Sequence, residues 1–220
     1  MNKQFLVSLF SLSVLLAGCQ KGDNSSYATA SQVPQAKPLV AIAPVVDHSE
    51  SGLGWDLSDE FTYCISTKLI QKNKFRVVDP QKTKMQIKKA KIHTNPFGSD
   101  LSWVKTTFPG DDFVVFMEVI EHREQLRDTD ASKRPELSHA DLNLALRLRI
   151  IDLRKEQPLL ILQEIIQDSH FIPRQLTSYN QQQSPWNSED YSISPVGIAH
   201  ASLIKELTAR IEDYIVLSRG

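Results

Sequence analysis

The sequence is poor in cysteine and has no N-terminal apolar run long enough to cross a membrane. Its two cysteines are Cys19 and Cys64. The apolar run from Phe5 to Leu16 has about a dozen residues, too few to span the ~30 Å of bilayer hydrocarbon as a helix. If Cys19 is modified, Cys64 has no partner within the chain, so an internal disulfide is excluded. We interpret Cys64 as a small buried apolar side chain rather than a reactive thiol.

Neither basic nor acidic residues are in excess. The chain has 25 Lys and Arg against 26 Asp and Glu, a formal net charge of −1. The composition therefore does not indicate nucleic acid as a partner. With 41% hydrophobic residues it is typical of a globular protein, and its length suffices for one domain with a core.

Motifs that would carry catalysis or metal binding are absent or incomplete. No Gly-x-Ser-x-Gly, phosphate-binding glycine loop or His-Glu-x-x-His helix occurs. Ser102 and Ser202 each begin a Ser-x-x-Lys, but the companion Ser-Asp-Asn and Lys-Thr-Gly segments are missing, so we interpret both as chance. The densest set of metal-ligand types is Glu118, Glu121 and His122, yet residues 118 and 121 of a strand should point to opposite faces. The sequence therefore predicts a non-enzymatic protein without cofactor or metal.

One motif is present in full. Lys3 precedes the apolar run, and the run ends in Leu16-Ala17-Gly18-Cys19. This is the anatomy of a secretory signal, and it resembles the bacterial lipobox. The resemblance implies that residues 1–18 are removed as a signal peptide. It also implies that Cys19 then carries a lipid with acyl chains such as palmitate. The alternatives are a soluble signal peptide with an incidental cysteine and a retained anchor helix.

The segment after the signal predicts a tether. Residues 19–37 are small, polar and poor in aliphatic side chains, so they bury too little surface to order themselves. The r.m.s. reach of such a chain is roughly 25 Å. Gln20 follows the cysteine, and by resemblance to enteric lipoproteins this implies the periplasmic face of the outer membrane. Residues 38–220 are then the globular domain.

The globular segment alternates strand and helix patterns. Leu39 to Val46 is an apolar run interrupted by Pro44, typical of a strand that is covered on both faces and broken at the proline. Asp56 caps an amphipathic helix, and Ser194-Pro195 opens a last one. Further strands are predicted near residues 75–79, 113–120, 142–150 and 159–171. Residues 82–91 predict a short basic helix. We interpret its basic face as solvated, the alternative being contact with anionic lipid.

These elements predict an α/β (α+β) fold in the order β-α-β-(α)-β-β-β-α. The first strands pair in parallel and the later ones form a meander, with the helices on one face of a mixed sheet. Three segments are similar to the CsgG/LpoB-like domains of bacterial envelope lipoproteins, which include a curli secretion lipoprotein and a penicillin-binding-protein activator. They are residues 39–47, the helix and following strand of residues 56–79, and the Ser-Pro-Val-Gly-Ile-Ala-His start of the last helix.

Aromatic side chains in predicted loops indicate a candidate partner-binding surface. Tyr179, Trp186 and Tyr191 lie among Gln, Ser and Asn residues, a combination suited to protein recognition. Trp103 and Phe108 lie in another such segment. The alternative is that these rings pack beneath the loops as satellite core.

Together these features predict a membrane-anchored envelope lipoprotein that acts as a protein-binding or regulatory module. Its partners would be the membrane, through the lipid, and another envelope protein. The alternative is a subunit of an oligomeric envelope secretion or transport assembly, which would bind copies of itself.

Overall fold

The domain is built on one six-stranded mixed sheet. A computed structural model describes residues 36–90, 95–128, 133–177 and 184–219. The strands are β1 (Leu39–Ile42), β2 (Val46–Asp47), β3 (Arg76–Val77), β4 (Phe113–Leu126), β5 (Ala140–Asp152) and β6 (Leu159–Ile172). The α-helices are α1 (Leu57–Lys72), α2 (Pro80–Lys89), α3 (Ser102–Thr107), α4 (Glu189–Ile193) and α5 (Pro195–Leu217).

The sheet topology confirms the predicted fold class. The strand order is β3-β1-β4-β5-β6, with β2 paired to β4. β1 is parallel to β3 and to β4, whereas β4, β5 and β6 form an antiparallel meander. Pro44 separates β1 from β2, as predicted, because proline has no backbone N–H to donate to a ladder.

Three local predictions were wrong. Residues predicted as loops contain α3 and α4, and β4 continues six residues beyond Ile120 to Leu126. A β-bulge between Val119 and Glu121 lets β4 keep its pairing with β5 through a polar stretch that the alternation pattern assigned to a loop.

Helices cover both faces of the sheet rather than the one face predicted. On the first face, α1 and α5 enclose the larger core, in which Phe61, Leu146 and Leu207 are fully buried. On the second face, residues of α2 and α3 enclose a smaller core around Val114 and Phe116.

The second core changes the environment of β5. Leu144 and Leu146 face the larger core, as their alternation predicts, and Arg147 is only half-buried on the other face. Arg149 was expected in solvent but is buried, and its guanidinium donates to the carbonyl oxygens of Pro96 and Gly98 at 2.7 and 2.6 Å. The segment before α3 therefore covers this end of the strand.

Side-chain caps fix the two long helices. Asp56 accepts hydrogen bonds from the N–H groups of Ser58 and Asp59 at the start of α1. Ser194 accepts from the N–H of Gly197, and Pro195 is the first residue of α5. Each cap stabilises its helix by about 1 kcal/mol. None of the helices in the described ranges combines the length and apolarity needed to cross a membrane.

Candidate functional site

Two helices carry a polar residue on an otherwise apolar stripe. In α1, Glu60 lies at helical spacing between Leu57 and Cys64; in α5, His200 lies between Val196 and Leu203. Glu60 and His200 are each only 1% exposed. A buried carboxylate without a partner is very costly, so its surroundings must supply donors.

Glu60 receives its hydrogen bonds from three side chains. The Nδ1 atom of His200 lies 2.8 Å from Oε1 of Glu60, and Trp55 Nε1 donates to Oε2 at 2.8 Å. The Tyr191 hydroxyl donates to Oε1 and lies 2.6 Å from Nδ1 of His200. Burial alone would raise the pKa of Glu60, but the hydrogen bonds and the His200 interaction outweigh it and hold that pKa below its usual value.

His122 extends this network into the sheet. The bulge in β4 leaves both Val119 and His122 on the face of the larger core, opposite Leu146 and Leu144. The Nε2 atoms of His122 and His200 are 2.9 Å apart, so one of these ring nitrogens donates a hydrogen bond to the other. Burial, assisted by His200, lowers the pKa of His122 to about 4, so this imidazole is neutral near pH 7. We call Trp55, Glu60, His122, Tyr191 and His200 the buried polar cluster.

A pocket of about 280 Å³ lies against the buried polar cluster between α1, α4 and α5. Glu60, His200 and Cys64 contribute to its wall, and Tyr63 and Trp186 also line it. The Tyr63 and Trp186 rings are 5.5 Å apart; Tyr63 is exposed and Trp186 half-buried. We call this the α1–α5 pocket. Its volume is near the lower end of the roughly 300–1,000 Å³ range of small-molecule sites and has room for one or two side chains.

A glycine allows the close junction of α4 and α5. A Cβ atom at Gly197 would lie 1.9 Å from the carbonyl oxygen of Tyr191, a distance that no side chain tolerates. Gly197 is therefore needed for α4 to hold Tyr191 against Glu60.

The thiol of Cys64 is not set up as a nucleophile. Cys64 is free and half-buried. Burial and the negative charge of Glu60 raise the pKa of the thiol, which keeps it protonated. Its position on the apolar side of α1 agrees with the predicted role of a small packing residue.

The other candidate chemistry is explained by local contacts. Glu118 and Glu121 were predicted on opposite faces, but the bulge places them on the same face, opposite Arg147 and Ala145. Glu118 forms an ion pair with Arg147 at 3.0 Å. Over the ranges that the structure describes, no three His, Cys, Asp or Glu side chains are arranged to hold a metal ion.

A match to a protein family covers most of the chain. The profile of the Family of unknown function (DUF7499) matches residues 25–219. The chain belongs to this family. A comparison with the curated proteins gave no match.

A solved structure shares the fold of this DUF7499 chain, and others resemble it more loosely. The hypothetical protein CT253 from Chlamydia trachomatis is 24% identical, with 82% of this chain and 98% of that chain covered and a TM-score of 0.63. Lipoprotein GNA1162 from Neisseria meningitidis is 12% identical over 81% of this chain and 98% of its own, with a TM-score of 0.39. The PelC dodecamer from Paraburkholderia phytofirmans is 10% identical, with 79% of this chain and 86% of that chain covered and a TM-score of 0.38. The last two superpositions are too loose to support an argument about function, and the CsgG/LpoB-like resemblance stays a prediction.

The structure separates the aromatic residues that the sequence grouped together. Trp186 lines the α1–α5 pocket, whereas Tyr191, placed in a loop by the sequence, lies in α4, buried, with its hydroxyl on Glu60. Phe108 is buried and Trp103 packs on Phe116 in the smaller core, so these two are satellite core. Tyr179 and Cys19 lie outside the described residues, and the partner-binding role of Trp186 stays a prediction.

The sequence did not predict the contact of Glu60 with His200, the approach of His122 to that pair, or the place of Tyr63 at the pocket. The available signal was a carboxylate and an imidazole on the apolar stripes of two helices. Such residues in an apolar stripe require buried partners, and pairing the two stripes would have suggested the contact.

Acid is expected to destabilise the domain through His122. The pKa of an unfolded histidine is near 6.5, whereas the pKa of folded His122 is about 4. Above about pH 6.5, the pKa of the unfolded histidine, His122 is neutral in both states and the domain keeps its full stability. As the pH falls from about 6.5 to about 4.5, the unfolded chain takes up a proton that the folded one does not, so the free energy of unfolding should decrease by about 2–3 kcal/mol.

Urea unfolding at pH 7.5 and pH 4.5 measures this decrease. His122→Leu should reduce it, because the group that titrates only in the unfolded chain is gone. His48→Leu is the matched control, since His48 is exposed. An equal pH dependence in the two variants would contradict the assignment to His122.

Proposed function

We propose that the chain is a lipid-anchored lipoprotein of the bacterial envelope whose domain binds another envelope protein and does no catalysis. The anchor is proposed from the Leu16-Ala17-Gly18-Cys19 motif, and the periplasmic face of the outer membrane from Gln20. The α1–α5 pocket is the observation that carries the binding role.

The surroundings of the pocket favour a protein partner. A second depression, lined by Pro44, Tyr63, Ile70 and Trp186 among others, adjoins the pocket because both share the two aromatic residues. Tyr63 and Ile70 are 60% and 54% exposed, so together they present apolar surface beside the pocket. Trp and Tyr side chains that become buried on binding are frequent anchors of protein interfaces. The partner would insert an apolar side chain beside Trp186.

The buried polar cluster supports binding rather than catalysis. Its carboxylate, imidazoles and hydroxyl satisfy one another, and Glu60 and His200 are almost fully shielded from solvent. The cluster holds α1, α4 and α5 in fixed positions, so the pocket wall is pre-organised and loses little entropy on binding.

Self-assembly is the second candidate, and one feature favours it. β6 is an edge strand of 14 residues. Its exposed apolar side chains include Leu160, Ile165 and Phe171. A long edge strand with exposed apolar side chains is a template for pairing with another chain.

Crosslinking in intact cells tests both candidates. A photo-reactive phenylalanine analogue would replace Tyr63 in one variant and Ile165 in another, and exposed Lys205 in a control. We expect an adduct with a different envelope protein at position 63, lost when Trp186→Ala is added. Adducts between two copies at position 165 would favour the assembly. Equal adduct yields at positions 63 and 205 would contradict binding at the pocket.

A further inference from the structure

Positive charge is concentrated in one stretch of a chain that is otherwise neutral. Residues 68–90 hold eight basic residues and one acidic residue, Asp79, although the net charge of the whole chain is −1. The basic residues are Lys68, Lys72, Lys74, Arg76, Lys82, Lys84, Lys88 and Lys89. The rest of the chain is therefore acidic on balance, and the charges are segregated.

The basic residues of α2 share its solvent face with an exposed methionine. The exposed positions of this helix are Gln81, Lys82, Lys84, Met85, Lys88 and Lys89. Met85 is 56% exposed. The opposite side, with Thr83 and Ile87, packs on the domain. We call Lys82, Lys84, Met85, Lys88 and Lys89 the basic face of α2.

Three of the four lysines of this face have no acidic partner in the ranges that the structure describes. No ion pair within 4.0 Å joins Lys84, Lys88 or Lys89 to an acidic group of the described ranges, in contrast to Lys72, which pairs with Glu212 at 2.7 Å. Lys82 lies near the buried carboxylate of Asp111. Unpaired like charges repel one another, so the face gains free energy from any anionic surface that covers it.

The segment that would lead to the lipid anchor joins the domain beside this region. The Lys37 ammonium donates to Asn73 Oδ1 at 2.7 Å, and the N–H of Arg76 donates to the Pro38 carbonyl at 2.8 Å. α2 packs on β1, the strand that follows directly. Sixteen residues separate Cys19 from Ala36, so even a fully extended chain could carry the domain at most about 60 Å from the proposed anchor.

We propose that the basic face of α2 lies on the anionic lipid headgroups of the membrane that holds the anchor. This inference rests on the proposed lipid anchor. Several lysines in one plane match a layer of phosphate groups, and an apolar side chain between them can enter the headgroup region, as in interfacial helices. An exclusively ionic partner such as a nucleic acid would make no use of Met85.

Lysine footprinting on vesicles tests the proposal with the full lipidated protein. It would be anchored in vesicles of phosphatidylcholine, and in vesicles of three parts phosphatidylcholine to one part phosphatidylglycerol. Acetylation of Lys84 and Lys88 should be about fivefold slower on the anionic vesicles. Lys155 in the β5–β6 turn and Lys205 in α5, both exposed, should each react at the same rate on the two kinds of vesicle. In 1 M salt the Debye length shrinks to about 3 Å and the difference should vanish.

A charge-reversal pair provides the matched control. K84E/K88E should remove the protection of Lys89 on anionic vesicles, whereas K155E/K205E, with the same change in net charge, should keep it. Equal acetylation rates on both kinds of vesicle would overturn the proposal while leaving the anchor in place. Failure of the protein to float with either kind would overturn the anchor and this proposal together.

Discussion

Replacing Glu60 by alanine should lower the free energy of unfolding by about 3–5 kcal/mol, the usual cost of removing one partner of a buried pair. Trp55 Nε1, His200 Nδ1 and the Tyr191 hydroxyl would lose their common acceptor. Against a total stability of ~5–15 kcal/mol for a domain, this loss is large.

Neighbouring substitutions set the scale for this effect. Asp59→Ala removes the adjacent carboxylate of α1, which is exposed in the first turn and contributes about 0.3–1 kcal/mol through the helix dipole. Glu60→Gln keeps one acceptor oxygen but points an amide donor at Trp55, so its loss should fall between the two. Chemical denaturation of the three variants measures the series. A loss of 1 kcal/mol or less for Glu60→Ala would show that the buried polar cluster is not a stabilising unit.

Cys19→Ala should abolish lipid attachment altogether. The thiol is the atom that would carry the diacylglycerol, and no other residue can replace it. Each buried acyl CH₂ contributes about 0.8 kcal/mol to membrane binding, so the unlipidated protein should leave the membrane fraction. Metabolic labelling with an alkyne palmitate measures attachment directly.

Cys64→Ala is the matched control for this experiment. Cys64 lies half-buried in α1 with a protonated thiol, so its loss should leave labelling unchanged. Labelling that persists in Cys19→Ala would refute the lipoprotein assignment. Labelling that is lost in Cys64→Ala would show that the lipid is attached to Cys64 and not to Cys19.

The elements with local signals were predictable from the sequence. Asp56 and Ser194 cap their helices as predicted because a cap depends on residues within three positions. The hairpin of β5 and β6 follows from two apolar runs around a turn. The break at Pro44 follows from the missing N–H.

The buried polar cluster was not predictable because its members are distant in sequence. Glu60 and His200 are 140 positions apart, and His122 and His200 are 78 apart. The bulge after Val119 also reversed the face that alternation assigns to His122. The coverage of the second sheet face was missed for a different reason. The short helix α3 buries Phe108, and a six-residue segment gives little helical periodicity.

The site is a consequence of the packing of three helices. Tyr191 connects α4 to Glu60 of α1, and Gly197 allows α4 to run closely into α5. Trp186, just before α4, is thereby held against Tyr63. In the proposed binding role, the cluster would act by holding the wall of the pocket in position.

The most direct test of the binding role is Trp186→Ala, read by melting temperature and by partner capture. Trp103→Ala is the matched control, since Trp103 is also half-buried but packs on Phe116 of the other sheet face. We expect Trp186→Ala to weaken capture by about tenfold or more, which corresponds to ~1.4 kcal/mol, with little change in melting temperature. Trp103→Ala should lower the melting temperature and keep capture. Unchanged capture in Trp186→Ala, or a loss of stability of ~3–5 kcal/mol as for a core aromatic, would contradict a binding role for the pocket.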